Sequence, residues 1–235
     1  MKKAQIVISL ILVFALGRAV WWARSRTAES TTPQPPAQSE TTAIEPVPAA
    51  ETPTVTSEAT KPAPAPAAEV VLPIDQFFTR ITKKPFGIHI TPKNSPVSPE
   101  RFSGYHTAVD VEYGDVTDDV EVRAIAAGTV VVSRTADGYG GVMVIRHTID
   151  DKSISALYGH LRPSSMLASG KPVTIGQKIA VLGTGYSSET DNERRHLHFG
   201  LRVDDNATIK GYVQNESELT GWQDPQQFFK QHGIE

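Results

Sequence analysis

A chain of 235 residues is long enough for one or two domains. Its 23 lysines and arginines against 26 aspartates and glutamates leave a formal charge of −3, which argues against the strongly basic face that nucleic-acid binding requires. There is no cysteine, so disulfide frameworks and thiolate zinc fingers are excluded and any metal site must draw on His, Asp or Glu.

The chain opens on Met1-Lys2-Lys3 and an apolar run from Ala4 to Gly17, broken only by Gln5 and Ser9. Carried past Arg18 to Trp22, the run reaches about 20 residues, enough to cross a bilayer if Arg18 snorkels to the interface. The tryptophan pair suits an interfacial anchor. An uncleaved membrane anchor over 1–24 is the expectation; a signal peptide is the competing reading, and its removal would leave the rest secreted. Residues 25–69 carry Pro33, Pro35, Pro36, Pro46, Pro48, Pro53, Pro62, Pro64 and Pro66 among Ala, Thr, Ser and Glu. So few large apolar side chains cannot offset ordering entropy, and a disordered linker is expected. At about 3.1 Å per residue in extended polyproline II, about 40 residues reach of order 120 Å.

Residues 70–235 read as a globular domain. Ile74, Phe77, Phe78 and Ile81 stand at i, i+3, i+4 and i+7 before Pro85, which predicts a helix. Tyr105 to Val111 alternates as a strand with His106, Ala108 and Asp110 on one face. Apolar runs at 130–132, 142–145, 154–158 and 179–182, each bounded by turn residues, predict further strands. His147 closes one of them as a structural hydrogen-bonding residue, and His89 and His232 read as surface residues. His196 and His198 share a strand face with Gly200, while Leu197, Phe199 and Leu201 point the other way. The end predicts a helix, with Asp224 as N-cap, Pro225 first, Phe228 and Phe229 inward and Gly233 beyond. The fold class is mainly β: a compact antiparallel sheet with short flanking helices.

Imidazoles on one face of a strand whose other face is strictly apolar need a polar partner, and a metal supplies one. His106, Asp110 and one histidine of the 196/198 pair would form a two-His, one-carboxylate site, the donor set of a catalytic zinc with one position left open.

His106 and Asp110, Gly128-Thr129-Val130-Val131, Gly138-Tyr139-Gly140, Tyr158-Gly159-His160-Leu161, Gly176-Gln177 and His196-Leu197-His198-Phe199 follow one another in an order that resembles the lysostaphin-type zinc metallopeptidases. The resemblance spans roughly Pro85 to Val203. It implies Zn²⁺ held by His106, Asp110 and His198, with His160 and His196 as catalytic histidines beside a metal-activated water. It also implies a peptidoglycan endopeptidase acting on wall peptide. The expected setting is the extracytoplasmic face of a membrane, reached through the N-terminal segment, and the expected state is a monomer. Two departures stand out. Gly200 occupies a position where the family commonly has Glu, which predicts different substrate contacts there. Tyr186 to Arg195 is long and charged, and its place directly before the histidine strand predicts a groove wall. A non-catalytic wall-binding module or an activator of another hydrolase is the alternative; a cupin-like metal protein is rejected because no Glu follows the H-x-H closely.

Overall fold

The computed structural model describes residues 70–235, so the anchor expected over 1–24 and the linker over 25–69 lie outside the described residues. Among the described residues no helix is long and apolar enough to cross a membrane. The early strands are β1 (His89–Ile90), β2 (Gly104–His106), β3 (Val109–Glu112) and β4 (Glu121–Arg123). Three long strands follow, β5 (Gly128–Ala136), β6 (Gly140–Ile149) and β7 (Lys152–Leu161). Then come β8 (Pro172–Val173), β9 (Lys178–Val181), β10 (His196–Arg202), β11 (Tyr212–Val213), β12 (Trp222–Gln223) and the helix α1 (Pro225–Gln231).

The main sheet runs β12-β10-β7-β6-β5-β8, with β3 also paired to β10; β1-β2-β11 and β4-β9 form smaller sheets. Every strand pairing among the described residues is antiparallel. The period of two explains which side chains meet. Met143 and Ile145 of β6, Ala156 and Tyr158 of β7, and Leu197, Phe199 and Leu201 of β10 fill one face and join the large core cluster. Val142, Val144 and Leu157 turn to the other face and pack with Tyr139 and Trp222. His196 and His198 share that second face, so a sheet with a fully apolar side presents its imidazoles on the other.

Residues 74–81 do not form the expected helix; they make successive turns. Gln76 adopts a left-handed φ of 53°, which breaks the helical ladder, and the backbone bonds outward instead. The Pro73 carbonyl accepts from the Arg123 N–H and the Arg80 carbonyl from the Glu112 N–H. The apolar spacing still marks core residues, since Ile74 and Phe77 are fully buried. Phe77 meets Phe229 of α1 edge to face, with ring centroids 5.1 Å apart.

The C-terminal helix forms as read. The Asp224 carboxylate accepts from the Gln226 N–H, Pro225 opens the first turn, and Phe228 and Phe229 are buried. Asp224→Ala should therefore destabilise the domain by about 0.5–2 kcal/mol, the usual range for a lost N-cap, readable as a lower urea midpoint. His232 is not a free surface residue. Its ring bonds the Phe228 carbonyl and Asp150, tying α1 to the β6–β7 turn.

Candidate metal centre

The expected strand through His106 and Asp110 is broken at Thr107–Ala108. His106 ends β2 and pairs with Tyr212 in the small sheet, whereas Asp110 lies in β3, directly across from His198 in the main sheet. The Thr107 N–H bonds to the Gly211 carbonyl and its hydroxyl to the Lys210 carbonyl, which secures the crossing. The two side chains, four residues apart, nevertheless converge: His106 Nε2 lies 3.3 Å from Asp110 Oδ1. His198 Nδ1 is 3.2 Å from the same oxygen and 3.2 Å from His106 Nε2.

These three atoms form a triangle with edges of 3.2–3.3 Å, and all three side chains are buried. Four ligands set tetrahedrally at about 2.0–2.1 Å from a zinc ion lie about 3.3–3.4 Å apart, so the triangle matches one face of that tetrahedron. The tautomers point the same way. His106 Nδ1 faces the Pro85 carbonyl at 3.2 Å, which only a donor satisfies, so Nε2 carries the lone pair. Nε2 of His198 lies 3.3 Å from the Tyr139 hydroxyl, leaving Nδ1 free to point its lone pair inward. Three buried acceptor atoms held this close to one another suit a shared cation. The residues fit zinc.

Electrostatics keep the donors in that state. Burial by itself would raise the Asp110 carboxyl, but the surrounding imidazoles and the Arg194 guanidinium hold it well below the usual range. Burial pushes His198 down to about 4 and His160 down to about 3. His196 is lowered well below its ordinary value by burial and by Arg194. His160, His196 and His198 are therefore neutral and the Asp110 carboxylate is charged at neutral pH, as metal ligation requires.

His160 arrives by a different device. Gly141 pairs with Leu161 and Val142 with Gly159, so His160 is the extra residue of a bulge, with a left-handed φ of 61°. A regular strand would turn it to the core beside Tyr158; the bulge re-aims it toward His196, with ring centroids 4.2 Å apart. Its Nδ1 is buried and has no hydrogen-bond partner among the described residues. The His196 Nδ1–H donates to the Arg194 carbonyl at 2.8 Å, which leaves Nε2 as acceptor, 3.4 Å from Asp110 Oδ2.

A cavity of about 330 Å³ opens on Asp110, His160, His196 and His198, with Tyr139 and Tyr212 among its walls. Burial pushes both phenols above their ordinary pKa, so they remain donors. Tyr212 stacks on His106 at 5.1 Å and accepts from Lys84 Nζ at 3.0 Å. Gly159 is required opposite His198: a Cβ there would lie 2.5 Å from the Tyr139 ring and 3.1 Å from His198 Cβ. Gly159→Ala should cost about 1–3 kcal/mol by overpacking, measured by urea unfolding. The Tyr186–Arg195 loop contributes Glu193 and Arg194 to the cavity wall, and Arg101 clasps it through Asp191 and Glu193. Gly200 does not line the cavity. A Cβ added there would meet the Thr107 carbonyl at 3.1 Å, the Trp222 ring at 3.3 Å and Ala108 Cβ at 3.4 Å.

Arg194, buried against Asp110 and Glu112, joins the site without a motif of its own. The signal was present, because the alternation that joins His196 to His198 puts residue 194 on their face. Tyr139 stood in a glycine turn with no chemical role attached, and Tyr212 and Lys84 carried no local signal.

Over 86 residues the chain is 36% identical to the murein hydrolase activator EnvC of Escherichia coli strain K12, a match covering 37% of this chain and 19% of that protein. Among solved structures it is similar to lysostaphin in solution (27% identity, 56% of this chain and 46% of that one, TM-score 0.41). It is also similar to a zinc containing peptidase from Vibrio cholerae (25% identity, 57% and 36%, TM-score 0.38). The SpoIIIAH–SpoIIQ complex aligns at 22% identity over 68% of this chain and 99% of that one, with a TM-score of 0.45. Residues 104–210 match the model of peptidase family M23, and the chain spans about a fifth of the curated relative it matches.

Proposed function

We propose that the protein is a zinc-dependent endopeptidase that hydrolyses peptide bonds in peptidoglycan on the extracytoplasmic side of the membrane. The observation that carries this reading is the triangle of inward-facing acceptors on His106, Asp110 and His198. Zinc held there supplies Lewis acidity, polarising a carbonyl oxygen and making water acidic near neutral pH. The chain does the rest. His196 and His160 are neutral, buried and adjacent, so either can accept a proton from the attacking water. As the carbonyl carbon gains its C–O bond and the C–N bond breaks, that proton passes to the leaving amine. The phenols of Tyr139 and Tyr212 remain protonated and can donate to substrate carbonyls.

The test is digestion of purified peptidoglycan with the full chain, products read by mass spectrometry, with and without a chelator. Peptide cleavage that a chelator stops and zinc restores is the expected result. Intact cross-links and stem peptides after incubation with zinc-loaded protein would reject it. A second reading follows from the likeness to a murein hydrolase activator. Under it the chain leaves the wall intact alone and accelerates a second hydrolase in mixture. The complete donor set favours the first.

A further inference from the structure

Resting on the metal-site reading above, we propose that Arg194 is a positioning residue that presents a single carboxylate oxygen of Asp110 to the two metal-binding imidazoles. Arg194 Nη2 donates to Asp110 Oδ2 at 2.6 Å. That bond leaves Oδ1 as the oxygen facing His106 and His198. Asp110 is 1% exposed, so water does not compete for the occupied oxygen.

The guanidinium is itself held. Its Nε reaches both oxygens of Glu112 at 3.0 and 3.1 Å, and Nη2 lies 2.9 Å from Glu112 Oε1. Residues 110 and 112 share a face of β3, so one strand supplies both anions that grip the arginine. A planar fork can bridge two carboxylates in this way; a lysine ammonium acts as a point charge. Burial works against the Arg194 charge, yet Asp110 and Glu112 raise its pKa.

Arg194 acts on a second group through its backbone. Its carbonyl accepts from His196 Nδ1 and so selects the tautomer of that histidine. One residue at the end of the Tyr186–Arg195 loop thus orients a ligand carboxylate and sets the acceptor nitrogen beside it. With Oδ2 released, Asp110 could turn both oxygens toward the metal, raising the coordination number and filling the position that a catalytic site keeps open.

The test compares Arg194→Met, Arg194→Lys and Glu112→Gln with wild type in the full chain. Zinc affinity is read by competition with a chromophoric chelator, and coordination by the visible absorption of the cobalt-substituted protein. Loss of an outer partner of a metal ligand typically weakens binding about 10–100-fold, and Arg194→Met should fall in that range. Its cobalt bands should weaken from the intense four-coordinate pattern toward that of higher coordination, with partial recovery of both in Arg194→Lys. Glu112→Gln loosens the guanidinium while leaving every ligand in place, and should lose about tenfold, the lower end of that range. Should Arg194→Met fail to fold, Glu112→Gln decides. Wild-type affinity and an unchanged cobalt spectrum in the deciding variant would overturn the positioning role while leaving the metal site standing. A wild-type chain that binds neither zinc nor cobalt would overturn both.

Discussion

Alanine at His106 or His198 is expected to remove bound zinc and wall-peptide hydrolysis together, whereas alanine at His160 or His196 removes hydrolysis and leaves the metal. The difference follows from geometry. His106 Nε2 and His198 Nδ1 lie within 3.3 Å of Asp110 Oδ1 and of one another, so losing either opens the triangle. His160 and His196 stand to one side, ring against ring, and their loss withdraws a proton acceptor. General acid–base groups contribute about 10²–10⁴-fold, which sets the drop expected for the second pair. Elemental analysis alongside a peptide-release assay reads both quantities in the same preparations. Activity surviving in His198→Ala, or zinc lost equally from all four variants, would contradict the division of roles.

Lys84→Met is expected to destabilise the fold by about 3–5 kcal/mol, the range for breaking a buried ion pair by removing one partner. The Lys84 and Glu100 side chains are 1% and 2% exposed, so Glu100 would be left charged, buried and unpaired. Against a usual total of about 5–15 kcal/mol, a loss of that size is severe. Tyr212 also loses the ammonium that bonds its hydroxyl, which loosens the ring stacked on His106. The pH dependence has a definite sign. In the wild type, burial pushes the Glu100 carboxyl up, but hydrogen bonds from Lys84, the Phe102 N–H and Ser95 hold it below its ordinary value. Its contribution to stability is therefore present above pH 4.5 and lost as pH falls through the folded value. Without Lys84 burial dominates and the carboxyl rises, so protonation relieves the variant first. The gap in urea midpoint between the two proteins should narrow from pH 7 toward pH 5. A gap that is absent at pH 7, or that widens in acid, would contradict the pairing.

What could be read from residue order alone was what alternation controls. The faces of β10 and of the long strands, the core residues and the α1 cap all follow from period and cap chemistry. The spacing of Ile74, Phe77, Phe78 and Ile81 located buried residues but not their backbone, because a left-handed Gln76 and bonds to neighbouring strands outweigh a helical pattern. His106 and Asp110 meet as their spacing suggests, yet by passing from one sheet to another, a crossing that depends on Gly211 and Lys210 far along the chain. The orientation of His160 depends on the register of β6 against β7, which no local pattern carries. The charged loop hides its conformation similarly. Tyr186, Asp191 and Asn192 take positive φ, and Arg101, some 90 residues earlier, holds the last part of the loop in place.

X-ray absorption at the zinc edge of the loaded full chain tests the metal centre most directly. The expected result is a shell of nitrogen and oxygen only, at about 2.0–2.1 Å, with outer-shell scattering from two imidazoles. A shell without imidazole scattering, or the same spectrum from Asp110→Ala, would contradict it.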